Sequence, residues 1–505
     1  MEKLSVIKSI TSIGLRPILI DVEVNVGAGI PSLTIVGLPD KAVEEAKERV
    51  RLALRNSGFG FPPKKIVVNL APADVKKEGP SFDLAIAVGI LAAGGLLKAE
   101  SIQKAVFLGE LSLTGKLRPT KGAIQAAIFC KKNNLNLVLP SANQTEVQLV
   151  PDIKILATDD LAGLYKKLFQ ENSFTATKCL KIEPSPIDEE TDFKNIVGQM
   201  QAKRAFEIAA SGGHNILTEG SPGGGKTLLS QSIVSILPPL EEEEMLELTQ
   251  IYSVSGLLCP ELPIITARPF RSPHHTSSPV AIIGGGSVPK PGEVTLAHKG
   301  VLFMDEFPEF PRCVLEALRQ PLEDHFVTVS RAQSTVKFPA EFILVAAKNP
   351  CPCGYYGDET KECNCSAGQI EKYNRRVSGP LLDRIDLRIR VEKLSVKDLQ
   401  QKTSAEPSAK VRQRVIRART IQNKRSLAVF GRKKLNSSLK KSELEKVGLS
   451  SALQNEMAKY AEKLDLSMRS YVKVLRVART IADLSGEEKI KQSHLVEALQ
   501  YRMTS

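Results

Sequence analysis

Gly220-Ser221-Pro222-Gly223-Gly224-Gly225-Lys226-Thr227 is the segment with the plainest chemistry in this chain of 505 residues. It follows the pattern G-x-x-x-x-G-K-[ST], in which glycines let backbone N–H groups curl around a β-phosphate at a helix N-terminus. Lys226 would reach the β- and γ-oxygens of ATP, and Thr227 would ligate Mg²⁺. The apolar stretch Asn215-Ile-Leu-Thr precedes the loop and Leu228-Leu-Ser-Gln-Ser-Ile-Val follows it, giving the strand–loop–helix context that the motif needs. The bland alternative is a Gly-rich turn that binds nothing.

Gly300-Val-Leu-Phe-Met-Asp305-Glu306 is an apolar strand ending in two carboxylates. Asp305 would hold the water shell of the Mg²⁺, and Glu306 would orient and polarise the attacking water. A third strand, Phe342-Ile-Leu-Val-Ala-Ala, leads to Lys348-Asn349, where an amide can touch the γ-phosphate or the water. An exposed acidic turn and an ordinary turn residue before Pro350 are the competing readings. In this order the three elements define an additional-strand P-loop ATPase, and the AAA+ class resembles it best. Ile196-Val-Gly-Gln199 matches the segment that covers the adenine in that class.

Cys351-Pro-Cys353 and Cys363-Asn-Cys365 bring four of the eight cysteines together just after Asn349. Four thiolates suit tetrahedral Zn²⁺. The C-x-C spacing is tighter than the commoner C-x-x-C, so free thiols and a redox disulfide remain open. His274-His275 is a weaker metal candidate than the cysteines, because adjacent side chains point in different directions, and it reads rather as a packed or DNA-facing loop.

These residues need a scaffold, and the composition allows one. Hydrophobic residues make up 42% and charged residues 25%, a globular balance that excludes a disordered, collagen-like or coiled-coil chain. Leu84 to Leu97 is the longest apolar run, too short for a membrane span of about 20 residues. The start, MEKLSVIKSITSIG, lacks a signal-peptide core, so the expected location is cytoplasmic with no membrane partner. Lys and Arg number 69 against 56 Asp and Glu, a surplus of +13 that suits a polyanion. Lys410 to Lys434 alone carries ten basic residues and no acid; it reads as a DNA contact or as a solvated helix face.

The first 172 residues mix strand-like and helical patterns. Pro17–Val24, Ser32–Gly37 and Lys65–Leu70 read as strands, Asp40–Asn56 as a helix capped by Asp40, and Phe82–Leu97 as an apolar helix. The polar stretch between Thr175 and Asp192 reads as a linker. Gln201–Ala210 reads as a helix, and Val327–Phe338 as a β-hairpin.

The stretch RPFRSPHHTSS…GGGSVPKPGEVTLAHKGVLFMDEFPEF…LRQPLEDHFVTVSRA, with Leu466-Ser-Met-Arg-Ser-Tyr-Val-Lys-Val-Leu-Arg-Val-Ala-Arg, resembles the ComM/YifB family of magnesium-chelatase-like AAA+ ATPases over essentially the whole chain. The resemblance implies an α/β fold class: a Lon-protease-like α+β domain at 1–172, a linker at 173–192, an AAA+ core at 193–392 and a helical lid at 393–505. It implies a hexameric ring with ATP between subunits. Arg384, in Gly379-Pro-Leu-Leu-Asp-Arg384-Ile-Asp, matches the arginine finger, unless it pairs with Asp383 or Asp386. Arg469 matches the lid arginine, with Arg476 its rival.

The implied function is an ATP-driven motor promoting branch migration of recombination intermediates in natural transformation. Arg268, Arg271, Lys290, Arg331 and Lys337 are the candidate contacts to the DNA backbone. A magnesium-chelatase-type subunit driving metal insertion is the alternative. A Lon-like protease is disfavoured, because Ser81 stands where Lon carries its nucleophile but Ile124 occupies the place of the lysine base; Ser81 then reads as a helix N-cap.

Overall fold

Period-two alternation builds the first sheet. A computed structural model describes residues 3–98, 102–169, 174–178, 189–259, 261–286, 289–331, 334–358, 361–393 and 405–502. Strands β1 (Lys3–Ile13) and β2 (Arg16–Gly27) form a long antiparallel pair, with Ile20, Val22, Val24 and Val26 turned inward. With β3 (Ser32–Val36), β4 (Lys65–Ala71), β5 (Ala105–Phe107), β6 (Asn136–Pro140), β7 (Lys154–Thr158) and β8 (Thr175–Ala176) they make a mixed eight-stranded sheet, ordered β8-β7-β6-β5-β1-β2-β4-β3. The expected linker therefore begins later than its first residues suggest, because Thr175 pairs with Ile155 in an edge strand. Its residues 179–188 lie outside those described.

Helix α1 (Asp83–Ala93) is buried on nearly every side, as its unbroken apolar sequence requires. Gly89 lets it lie against β2, since a Cβ there would stand 2.5 Å from Val24 Cγ2. Asp40 caps as expected, accepting from Val43 N at 2.8 Å, although the helix it opens breaks at Glu45. Ser81 is not an N-cap. It sits in a 3₁₀ turn, Pro80–Phe82, and no side chain caps α1. Ile124, on α2 (Ala123–Lys132), is fully buried in an apolar cluster, which leaves no lysine base at that position.

Two compact units result, and they do not follow chain order. Glu241–Thr266 joins Met1–Glu183 in the first, although the expected core boundary of 193–392 had placed it in the second. The helix Glu242–Ser255 within it buries Met245, Leu248, Ile251 and Tyr252. Its end is pinned by polar contacts: Gly122 N donates to Ser253 Oγ at 3.1 Å, and that hydroxyl donates to Glu146 Oε2 at 2.9 Å.

The second unit has a parallel sheet of β9 (Ile216–Glu219), β10 (Phe270–Arg271), β11 (Val301–Met304), β14 (Ile343–Lys348) and β15 (Leu387–Arg390), in the order β10-β11-β14-β9-β15. The expected hairpin forms from β12 (Phe326–Arg331) and β13 (Ser334–Pro339), paired antiparallel and burying Val327, Val329, Val336 and Phe338. Helices α3 (Met200–Gly212) and α4 (Lys226–Ile236) pack on the same core as α5 (Ser408–Phe430) and α6 (Met468–Leu484). Between 405 and 502 the regular structure is helical.

A buried ion pair ties these helices to the sheet. Lys473 on α6 meets Asp386 at 3.0 Å, and Asp386 also accepts from Asn215 N at 3.2 Å and lies 3.5 Å from His214 Nδ1. No helix among the described residues is long and apolar enough to cross a membrane.

Candidate nucleotide site

Parallel strands point their C-terminal ends the same way, so β9, β11 and β14 deliver their following residues to one edge of the sheet. After β9, Gly220 passes so near Val391 that a Cβ would stand 2.2 Å from its carbonyl oxygen. Gly223 and Gly225 have φ of 80° and 84°, left-handed values that glycine adopts without strain. Gly225 then caps α4, and Lys226 opens it.

Lys226 is 8% exposed, and its ammonium donates to the carbonyls of Gly220 and Ser221 and, at 3.0 Å, to Asn349 Oδ1. Burial lowers its pKa, while the charges of Asp305 and Glu219 oppose that fall. Thr227 Oγ1 donates to Asp305 Oδ2 at 3.2 Å. Lys226, Thr227, Asp305 and Asn349 therefore meet at the mouth of the glycine loop. Their oxygen donors suit Mg²⁺, which takes carboxylate, hydroxyl and phosphate oxygens.

Glu306 has a left-handed backbone, φ 50°, and its N–H donates to Asp305 Oδ1 at 2.9 Å. Its carboxylate lies 3.1 Å from His275 Nδ1. The His275 ring stacks beside His274 at 4.2 Å and meets Phe310 edge-on at 6.4 Å. This contact was missed in the sequence, where the two histidines read as a loop or weak metal ligands. The only signal was their position a few residues beyond β10, which the sheet order sets beside β11. Among the described residues neither histidine belongs to a metal-capable group.

The two arginines stand outside this cluster. Arg384 pairs with Glu323 rather than with Asp383 or Asp386, and donates to Pro380 O at 2.7 Å. Arg469 is exposed in the first turn of α6. Its rival Arg476 is tied down by a 2.6 Å bond to Leu439 O.

Several expected DNA contacts are spent internally. Arg268 donates to the carbonyls of Pro238, Pro239 and Lys299, and Arg271 makes a bidentate pair with Glu293 at 2.6 and 2.7 Å. Lys290 and Lys337 are exposed, whereas the Arg331 side chain lies outside the described residues. In the basic run, Arg412, Arg414, Arg419, Arg425 and Lys434 bond to groups of the same unit. Lys410, Arg417, Lys424 and Arg432 remain exposed. Finally, the sulfurs of Cys351, Cys353, Cys363 and Cys365 converge, all within 4.8 Å of one another.

A glycine loop after the strand, a carboxylate after its second neighbour and an amide after the strand between them define the P-loop fold with an additional strand. Family models agree along the chain: magnesium chelatase subunit ChlI matches residues 192–399, its C-terminal part matches 405–502, and a further model for the ChlI subunit of Mg-chelatase matches 22–143. The Competence protein ComM of Haemophilus influenzae is 44% identical over 99% of this chain and 97% of its own length. The protein YifB of Escherichia coli K12 is 41% identical, and that of Salmonella typhimurium 40%, each over 99% of this chain and 97% of its own. The chain belongs to the ComM/YifB family of magnesium-chelatase-like proteins.

Proposed function

We propose that the protein hydrolyses ATP and couples the cleavage to movement along DNA. The observation that carries the nucleotide half is the meeting of Lys226, Thr227, Asp305 and Asn349 at one mouth. Gly220, Ser221, Pro222, Gly223, Gly224 and Gly225 would wrap the phosphates with backbone N–H groups. Lys226 would exchange its carbonyl partners for the β- and γ-oxygens. Thr227 and Asp305 would hold Mg²⁺, which when bound neutralises charge on those oxygens. Glu306 would accept the proton of the attacking water, and Asn349 would sense the γ-phosphate.

The DNA half rests on family membership, on a relative named as a competence protein, and on the basic surplus. A homo-hexamer, with Arg384 offered to the neighbouring subunit and Arg469 acting from a helical lid, completes the reading. So do a Lon-like fold for the N-terminal unit and a cytoplasmic location. A second reading, metal insertion, is favoured by the chelatase match over 192–399.

The deciding experiment measures ATP turnover with and without forked or Holliday-junction DNA, followed by strand displacement. Stimulation with displacement is expected. Turnover indifferent to every DNA would refute the motor and leave the chelatase reading, and no turnover at all would refute both.

A further inference from the structure

The four-cysteine cluster lies directly behind the nucleotide loop. Cys351 Sγ is fully buried, 3.3 Å from Cys353 Sγ and 3.6 Å from Cys363 Sγ, and Cys353 Sγ is 3.6 Å from Cys363 Sγ. A tetrahedral tetrathiolate with metal–sulfur bonds of about 2.3 Å has sulfur–sulfur edges of about 3.8 Å, close to these separations. A disulfide needs about 2.0 Å, and no pair approaches it. The Tyr356 N–H donates to Cys351 Sγ at 3.3 Å, which fixes the direction in which that sulfur points.

The loop between the cysteine pairs is anchored on the nucleotide-binding unit at two points. Gly354, with φ 86°, packs so tightly on Pro222 of the glycine loop that a Cβ would stand 2.7 Å from its ring. Gly357 O accepts from Arg390 Nη2 at 2.7 Å, at the end of β15. On the other side, Cys351 follows Asn349 by two residues, and Asn349 holds Lys226.

The geometry points to a Zn²⁺ site formed by Cys351, Cys353, Cys363 and Cys365 that clamps the Asn349–Gly354 backbone against Pro222 and so holds the phosphate loop in its binding shape. Each coordinated thiol releases its proton to water as the ion binds. The coupling rests on the proposed nucleotide reading, whereas the metal site does not.

The test uses the full chain, purified without chelator. Zinc content by mass spectrometry should be about one per chain. Replacement by Co²⁺ should give sulfur-to-metal charge-transfer and tetrahedral ligand-field bands. Stripping with a mercurial followed by thiol rescue should weaken binding of a fluorescent ATP analogue roughly tenfold, and added Zn²⁺ should restore it. Cys353→Ser with Cys363→Ser should reproduce the stripped state.

Lys226→Ala should lose nucleotide yet keep its zinc, which separates failure of the clamp from failure of the nucleotide reading. Iron in place of zinc, substoichiometric metal with freely titrating thiols, or a Cys351–Cys353 disulfide would overturn the site. Zinc at full stoichiometry whose removal leaves nucleotide affinity unchanged would overturn the clamp.

Discussion

Replacing Glu146 with glutamine should stabilise the first unit at alkaline pH and do nothing at acid pH. Glu146 is 3% exposed, and burial pushes its pKa from the ordinary 4.5 up to about 7. Donation from Asn143 Nδ2 at 2.6 Å and from Ser253 Oγ at 2.9 Å opposes that rise without cancelling it. The folded state therefore holds the proton more tightly than the unfolded one. The stability this provides is complete below the unfolded value and is lost as pH climbs through about 7.

A displacement from 4.5 to about 7 corresponds to roughly 3 kcal/mol. The amide of Glu146→Gln would keep the shape without the charge. Opening free energies of amides in Ala123–Lys132 and Glu242–Ser255, measured by hydrogen exchange and corrected for intrinsic rates, should agree between variant and wild type near pH 4.5. They should diverge by up to about 3 kcal/mol at pH 8 in favour of the variant. A gap that does not change with pH, or a variant less stable at pH 8, would refute the reasoning.

Glu306→Gln should still bind nucleotide but hydrolyse it about 10²- to 10⁴-fold more slowly, measured by phosphate release; equal turnover would contradict the water-activating role. His275→Ala frees the Glu306 carboxylate from a partly exposed pair worth at most about 1 kcal/mol, so DNA-free turnover should rise by up to about fivefold, and a fall would count against it. Arg384→Ala should leave nucleotide binding intact and cut hydrolysis by about 10³-fold; mixing it with Glu306→Gln subunits should recover part of the turnover, and no recovery in the mixture, or undiminished activity of Arg384→Ala alone, would argue against action in trans. Lys473→Met strands Asp386 in the core and should cost about 3–5 kcal/mol in denaturant unfolding; a near-neutral result would show that His214 and Asn215 suffice.

The legible parts of this fold were local. The glycine loop, its flanking strand and helix, the Val327–Phe338 hairpin and the buried helix after Phe82 each carry their instructions within a short window, as turn glycines or apolar periodicity. Contacts distant in sequence were illegible. Nothing near Glu241 announces that its helix docks beside Gly122 and Glu146, and nothing near Arg384 points to Glu323. Charge misled for a related reason. A run of ten basic residues reads as surface, yet five of them bond inward to carbonyls and carboxylates supplied from elsewhere in the sequence. The pair His275 and Glu306 shows the same limit at the site itself, because only the order of strands makes them neighbours.

Asp386 stands two residues beyond Arg384, and it grips both Lys473 and the backbone at the root of the strand that runs to the glycine loop. That makes it a shared anchor for α6, the turn carrying Arg384 and the start of β9. A swing of α6 cannot be absorbed locally, for separating the charges in a dry interior is far costlier than carrying the attached turn along. A displacement of the helical layer would therefore be felt both at the guanidinium two residues away and at the far end of β9.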